Sequence, residues 1–261
     1  MNELREAIKR IPGVRKTYYL LRRGRMENGF HGDRIMREYV LRLLKSLAPG
    51  SFVETGTYLG DTAEFMAKGN PGLRIFSCEC NPSSFAFSKR RLRRFPNVSV
   101  YNQSSEKLLS SIIGENLLGP VPLFFLDAHW YDYWPLQDEI ATITQALERA
   151  VIIIDDFEVP ERSDFLYQRG DGNTQPSAQT KSEPEIACNL ELIRSKLRRD
   201  REYRFLFPSY TTRDSSTASL VGYVTIFQNL NSEFERFVAD GWGKKFFREL
   251  VIEKGYAERP T

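Results

Sequence analysis

The stretch Val53-Glu54-Thr55-Gly56-Thr57-Tyr58-Leu59-Gly60-Asp61-Thr62 reads as a strand end, a tight loop and the start of a helix. Glu54 closes an apolar run. Gly56 and Gly60 permit tight turning and close backbone approach, and Asp61-Thr62 opens the next helix with short polar side chains. In an open parallel sheet, ligands bind beyond the carboxyl ends of the strands, where strand order reverses, so the loop after a first strand is where a site is expected. The glycine spacing is one residue off Gly-x-Gly-x-x-Gly, and no third glycine supplies the close approach to a pyrophosphate. That weighs against a nicotinamide-dependent enzyme.

Outward from this loop, short apolar runs alternate with helical patterns. Strands are predicted near 51–55, 74–79, 98–102, 122–127 and 150–155, with helices near 61–68, 82–94, 105–113 and 136–149. The rhythm is βαβ and implies an α/β fold, with a doubly wound, Rossmann-like, mostly parallel sheet and helices on both faces. Pro122–Leu126 and Val151–Ile154 are apolar throughout, as expected of central strands buried on both sides. Upstream, Ile35, Tyr39, Leu43, Leu44 and Leu47 recur at helical spacing until Pro49-Gly50. Downstream, residues 157–183 are polar and punctuated, a candidate substrate lid. A helix near 184–199 follows, then strand-like runs at 203–207 and 220–227, read as a C-terminal antiparallel hairpin that completes a seven-stranded sheet. Phe234, Phe237, Val238, Trp242, Phe246, Phe247 and Leu250 predict a last helix, broken at Gly241 or Gly243.

The chain has 261 residues, 41% hydrophobic and 27% charged, enough for one α/β domain with a full core. No run approaches the ~20 apolar residues of a bilayer span, nor does the N-terminus carry a secretory apolar stretch, so a cytoplasmic protein is expected. Cys78, Cys80 and Cys188 make an odd set without a Cys-x-x-Cys pair, which argues against a disulfide framework or structural zinc. Cys78 and Cys80 are expected on one strand face. Residues 1–25 hold eight bases against Glu3 and Glu6, leaving a net −3 for the remainder of a chain that totals +3. The organisation expected is a basic arm over 1–30 and a single domain over 31–261. Such an arm suits a solvated tail or peripheral contact with an anionic membrane. Lys89-Arg90-Arg91 and Arg93-Arg94 read as a solvated helix face; no base-flipping motif supports nucleic acid as a partner.

Glu79 stands nineteen residues beyond Gly60 at the end of the second strand, where an acid can accept hydrogen bonds from both ribose hydroxyls. Asn102-Gln103-Ser104-Ser105-Glu106 follows the third strand, either meeting an adenine edge or forming an ordinary N-cap at Ser104 or Ser105. The glycine loop, Glu79-Cys80-Asn81-Pro82, Ser105-Glu106 and Leu126-Asp127 together resemble the motifs of class I S-adenosylmethionine-dependent methyltransferases. More narrowly they resemble the metal-dependent catechol and caffeoyl-CoA O-methyltransferases and the macrolide-sugar O-methyltransferases, over roughly residues 31–228. By that resemblance Glu54, Gly56, Tyr58 and Thr62 would surround the methionine part of S-adenosyl-L-methionine, with Gly60 shaping the loop. Glu79 would hold the ribose, Ser105 and Glu106 the adenine, and Asp127 would border the cofactor.

Asp127 ends strand four, and Asp155 with Asp156 ends strand five; neighbouring strands lie about 4.8 Å apart. Three carboxylates then share one small volume, costly unless a cation joins them, and all-oxygen ligation suits Mg²⁺ better than zinc. The alternative is that one aspartate caps a helix or pairs with an arginine while another faces solvent. The metal-dependent relatives carry ligands at the three matching positions, often with Asn at the third. Asp127 and His129 are the catalytic candidates, His129 as general base because Trp130 stands where catechol-type enzymes keep a lysine. His31 is a second candidate, able to cover the site from the N-terminal side. The run His129–Pro135 is aromatic enough to floor a pocket for a sugar or aromatic ring. The expectation is O-methylation of a hydroxyl on a small molecule or glycan. The alternatives are metal-independent methyl transfer to another acceptor, or a non-catalytic cofactor-binding module recruited through the basic arm. Oligomerisation is left open.

Overall fold

The computed structural model describes residues 29–128, 134–169 and 186–250. The arm over 1–28, His129–Tyr133 and most of the expected lid lie outside the described residues. In chain order the elements are α1 (Arg34–Leu47), β1 (Ser51–Thr55), α2 (Asp61–Gly69), β2 (Arg74–Cys78), α3 (Pro82–Leu92), β3 (Val98–Tyr101), α4 (Ser105–Gly114), β4 (Leu123–Leu126), α5 (Leu136–Ala146) and β5 (Ala150–Ile154). There follow β6 (Phe165–Leu166), α6 (Leu190–Arg194), β7 (Tyr203–Pro208), α7 (Thr212–Ser215), β8 (Leu220–Val221), β9 (Val224–Gln228), α8 (Asn231–Ala239), α9 (Gly241–Phe246) and β10 (Phe247–Leu250).

The main sheet has the order β10-β7-β9-β5-β4-β1-β2-β3. Strands β1 to β5 pair in parallel, β9 runs antiparallel to both β5 and β7, and β10 antiparallel to β7. This is the expected doubly wound sheet with its C-terminal antiparallel strands. The two runs predicted as central, β4 and β5, are buried along their whole length between β1 and β9. The chain winds outward through β2 and β3 and then crosses back to β4, which puts the switch point between the ends of β1 and β4.

Two details depart from the sequence reading. The run 220–227 is not one strand: a Cβ on Gly222 would lie 2.1 Å from the Phe157 carbonyl, and Gly222 exchanges backbone hydrogen bonds with Phe157 and Leu166. The close approach splits the run into β8, which joins β6 in a two-stranded sheet, and β9. The last helix also stops early. Asp240 caps α9 by accepting from the Trp242 N–H, and after Phe246 the backbone extends to add an eighth strand along β7. Phe247 there stacks on Tyr39 at 4.4 Å and is buried. The 184–199 helix is short, α6 alone, capped by Asn189. Residues 157–169 are packed rather than loose, with Phe157, Val159 and Phe165 all buried. No helix among the described residues is long and apolar enough to cross a membrane.

The constraint that sets the switch point is local. Gly56 has φ +84, and a Cβ built on it would lie 2.2 Å from the Asp127 carbonyl oxygen. Gly56→Ala is therefore expected to cost roughly 3 kcal/mol in urea unfolding, whereas Gly72→Ala, with nothing within 4 Å of its Cβ position, should change stability little.

Candidate active site

Three residues of the β1–α2 loop take left-handed backbone: Gly56 (φ 84), Tyr58 (φ 46) and Gly60 (φ 81). The coil this makes is held from both sides. The N–H groups of Gly56 and Thr57 both donate to the Cys78 carbonyl, at 3.1 and 2.8 Å, which ends β2 there and leaves Cys80 beyond the strand and exposed. From the other side Arg91 donates to the Leu59 carbonyl at 2.9 Å and pairs with Asp61 at 2.6 Å and with buried Glu64. One member of the basic cluster thus points inward and clamps α3 to α2, contrary to the expected solvated face.

Glu79 sits under the loop. Its Oε2 accepts from the Tyr58 N–H and its Oε1 from the Asn81 N–H, both at 2.8 Å. Glu54 is buried beneath the same loop. Thr57 donates to Ser77 (2.6 Å), whose hydroxyl donates to Glu54 Oε2 (2.5 Å). Burial pushes the Glu54 carboxyl up to about 8; the Ser77 hydrogen bond opposes that rise and the charges of Asp61 and Glu79 add to it. Thr62 is bonded to the N-terminal segment, its Oγ1 accepting from the Phe30 N–H at 3.3 Å. Ser104 holds the N-cap position of α4 without a side-chain cap bond, and buried Ser105 lies 3.4 Å from Glu106 Oε2.

Pairing continues one residue past the strands. The Asp127 N–H donates to the Thr55 carbonyl (3.1 Å) and the Asp155 N–H to the Leu126 carbonyl (3.0 Å). That extension aligns Asp127 with Asp155 across the sheet. Strand alternation would send Asp156 to the opposite face, but its φ of 50 turns the chain at that residue. Ligand atoms of Asp127, Asp155 and Asp156 consequently all lie within 4.8 Å of one another. Asp155 and Asp156 are buried, and Asp155 Oδ1 and Asp156 Oδ2 have no hydrogen-bond partner. Burial and the neighbouring Asp155 charge push Asp156 up to about 7.

His31 reaches this cluster, its Nε2 lying 2.5 Å from Asp155 Oδ2. Its side chain keeps 37% exposure, so the burial that pulls an imidazole pKa down is incomplete. Asp155, then Asp127 and Asp156, outweigh it and raise the group to about 10. His129, the other histidine candidate, is outside the described residues.

Glu139 was not among the residues singled out from sequence. It is fully buried on α5 with neither oxygen hydrogen-bonded, and burial raises it to about 7, held back by the nearby Ser105 and Thr55 hydroxyls. The signal was present, since Leu136, Ile140 and Ile143 place position 139 on the buried face of that helix.

The raised Glu54 pKa gives a signed expectation. Its stabilising contribution is full below the unfolded value of 4.5 and is lost as pH rises through about 8. Glu54→Gln, which still accepts from Ser77, should melt near the wild-type temperature at pH 5 and several degrees above it at pH 9. A difference independent of pH would refute the buried neutral carboxyl.

No protein-family model matches the chain. The ribosomal RNA small subunit methyltransferase H of Campylobacter jejuni subsp. doylei is 30% identical over 71 residues, which are 27% of this chain and 23% of that protein. Among similar solved structures, an O-methyltransferase from Bacillus cereus in complex with SAH has a TM-score of 0.48 at 15% identity, covering 74% of this chain and 80% of that one. The N-terminal domain of EvdMO1 with SAH bound gives 0.46 at 12%, over 74% and 80%. The O-methyltransferase TomG from Streptomyces achromogenes in complex with SAM gives 0.45 at 15%, over 72% and 77%.

Proposed function

We propose that this protein is an S-adenosylmethionine-dependent methyltransferase that methylates a hydroxyl of a small molecule or sugar, with a hard divalent cation such as Mg²⁺ held by Asp127, Asp155 and Asp156. The observation that carries the reading is the convergence of three carboxylates, two of them buried with an unpartnered oxygen, on the strand ends beside the glycine loop. Unpartnered buried carboxylate oxygens are costly without a cation, and an all-oxygen donor set fits Mg²⁺. When bound, such a cation lowers the pKa of an acceptor hydroxyl.

On the cofactor side, each Glu79 oxygen takes one backbone N–H and keeps lone pairs for a ribose hydroxyl. S-adenosylmethionine would supply the methyl as a sulfonium, and the Asp61 and Glu79 charges beside the loop suit that cation. Gly56, Tyr58 and Gly60 shape the loop that receives its methionine part, Thr62 and Glu54 brace it, and Ser105 with Glu106 border the adenine. His129 follows Asp127 by two residues and is the proposed base. The acceptor is a small molecule or glycan rather than nucleic acid. The basic arm is proposed to touch an anionic membrane surface, and the protein to work in the cytoplasm.

Calorimetric titration with S-adenosylmethionine tests the first half: absence of binding sinks the enzymatic reading. Asp155→Ala is expected to abolish turnover with cofactor affinity within about threefold of wild type, and Glu79→Ala to weaken cofactor binding at least ~10-fold. The reverse pattern would refute these roles. Turnover unchanged by a chelator would remove the metal and leave methyl transfer standing.

A further inference from the structure

The segment Gly29–Gly32 is built at a cost. Phe30 (φ 53), His31 (φ 56) and Gly32 (φ 79) take left-handed backbone in succession, which disfavours each of the two non-glycine residues by about 1–2 kcal/mol. Several contacts over-determine it. Phe30 is buried, edge-on to Phe125 at 5.1 Å and to Phe65 at 5.7 Å. Its N–H donates to Thr62 and its carbonyl accepts from the Asp33 N–H at 2.9 Å. Arg37 Nε donates to the Gly29 carbonyl at 3.0 Å. Asp33 caps α1 through Oδ1, and its Oδ2 accepts from the Tyr210 hydroxyl at 2.7 Å, which ties the segment to the chain just beyond β7.

All this anchoring aims one side chain. His31 Nε2 meets Asp155 Oδ2, while Asp155 Oδ1 is left buried without a partner, as is Asp156 Oδ2. The two oxygens of Asp155 are thereby distinguished, one engaged by the imidazole and the other buried without a partner. We propose that His31 is a positioning residue for the cation site: its hydrogen bond to Oδ2 fixes the rotation of the Asp155 carboxylate so that Oδ1 faces the ion beside Asp156. A second-sphere hydrogen bond of this kind sets the orientation of a ligating carboxylate, and losing it typically weakens metal binding 10–100-fold. The inference rests on the cation half of the proposed function and adds to it a residue from outside the sheet.

The test is Mn²⁺ titration followed by the electron paramagnetic resonance signal of the free aqua ion, with no turnover involved. Wild type, His31→Leu and His31→Gln are compared. Leu fills similar space without a donor, whereas the Gln side-chain amide can donate to the same oxygen. The expected result is affinity about 10–100-fold weaker in His31→Leu and restored to within about threefold of wild type in His31→Gln. Equal affinity in wild type and His31→Leu overturns the positioning role, as does an equal loss in both variants, which would mark a purely structural strap. Tighter binding in His31→Leu also overturns it, because the imidazole would then compete with the ion. A wild-type protein that binds no Mn²⁺ fails the cation reading itself, a separate result from failure of His31.

Discussion

Gly56 and Asp127 meet where the sheet reverses its winding, and no side chain fits between their backbones. The rest of the site depends on that contact. With β1 and β4 held this close beyond their paired residues, the ladder runs on through Asp127 and Asp155. Register alone then carries carboxylates from two strands into one volume. The same constraint explains the left-handed backbone of the loop. A chain that leaves β1 against the Asp127 carbonyl must coil before α2, and the Cys78 carbonyl, taking two N–H donors, supplies the floor of that coil.

The strand ends concentrate buried acid. Glu54, Glu139, Asp155 and Asp156 are each no more than 3% exposed, and no arginine reaches them through a hydrogen bond or ion pair within the described residues. Desolvation penalises the charged form of each, and the protein meets the penalty differently from site to site. Glu54 takes a hydroxyl relay and a raised pKa, Glu139 a raised pKa with only nearby hydroxyls, and Asp155 an imidazole. Glu64 on α2 is buried as well, yet Arg91 and Arg94 pair with it, and desolvation is outweighed by Arg91 with Lys68, which lower its pKa. The contrast separates a structural acid, paired with arginines, from Glu54, Glu139 and Asp156, which no cationic side chain contacts directly among the described residues. A sulfonium and a divalent cation are both partners of that sign, which is why the proposed chemistry suits this end of the sheet.

Much of the fold was legible because its signals are local. Uninterrupted apolar runs at Leu123–Leu126 and Ala150–Ile154 mark strands covered on both faces, and their alternation with helical periodicity implies a parallel doubly wound sheet. What misled was also local. Phe246, Phe247 and Leu250 keep helical spacing, yet the backbone from Phe247 pairs along the edge of β7 and Phe247 stacks on Tyr39, contacts that helical periodicity does not encode. Leu220–Phe227 looks like one strand until Gly222 meets the Phe157 backbone, a contact between residues 65 positions apart in the chain.

The sequence by itself determined the strand ends and therefore the candidates Gly56, Glu79, Asp127, Asp155 and Asp156, because strand register converts position along the chain into position along one edge of the sheet. Tertiary structure alone decided how those groups are used. Arg91 turned inward to brace the glycine loop, Glu139 was buried without a full hydrogen bond, and the strained turn at Phe30 carried His31 across 124 residues of sequence to Asp155. Such contacts leave little trace in periodicity or composition, since they depend on which helix face packs against which loop and on how much backbone strain the surrounding contacts can hold.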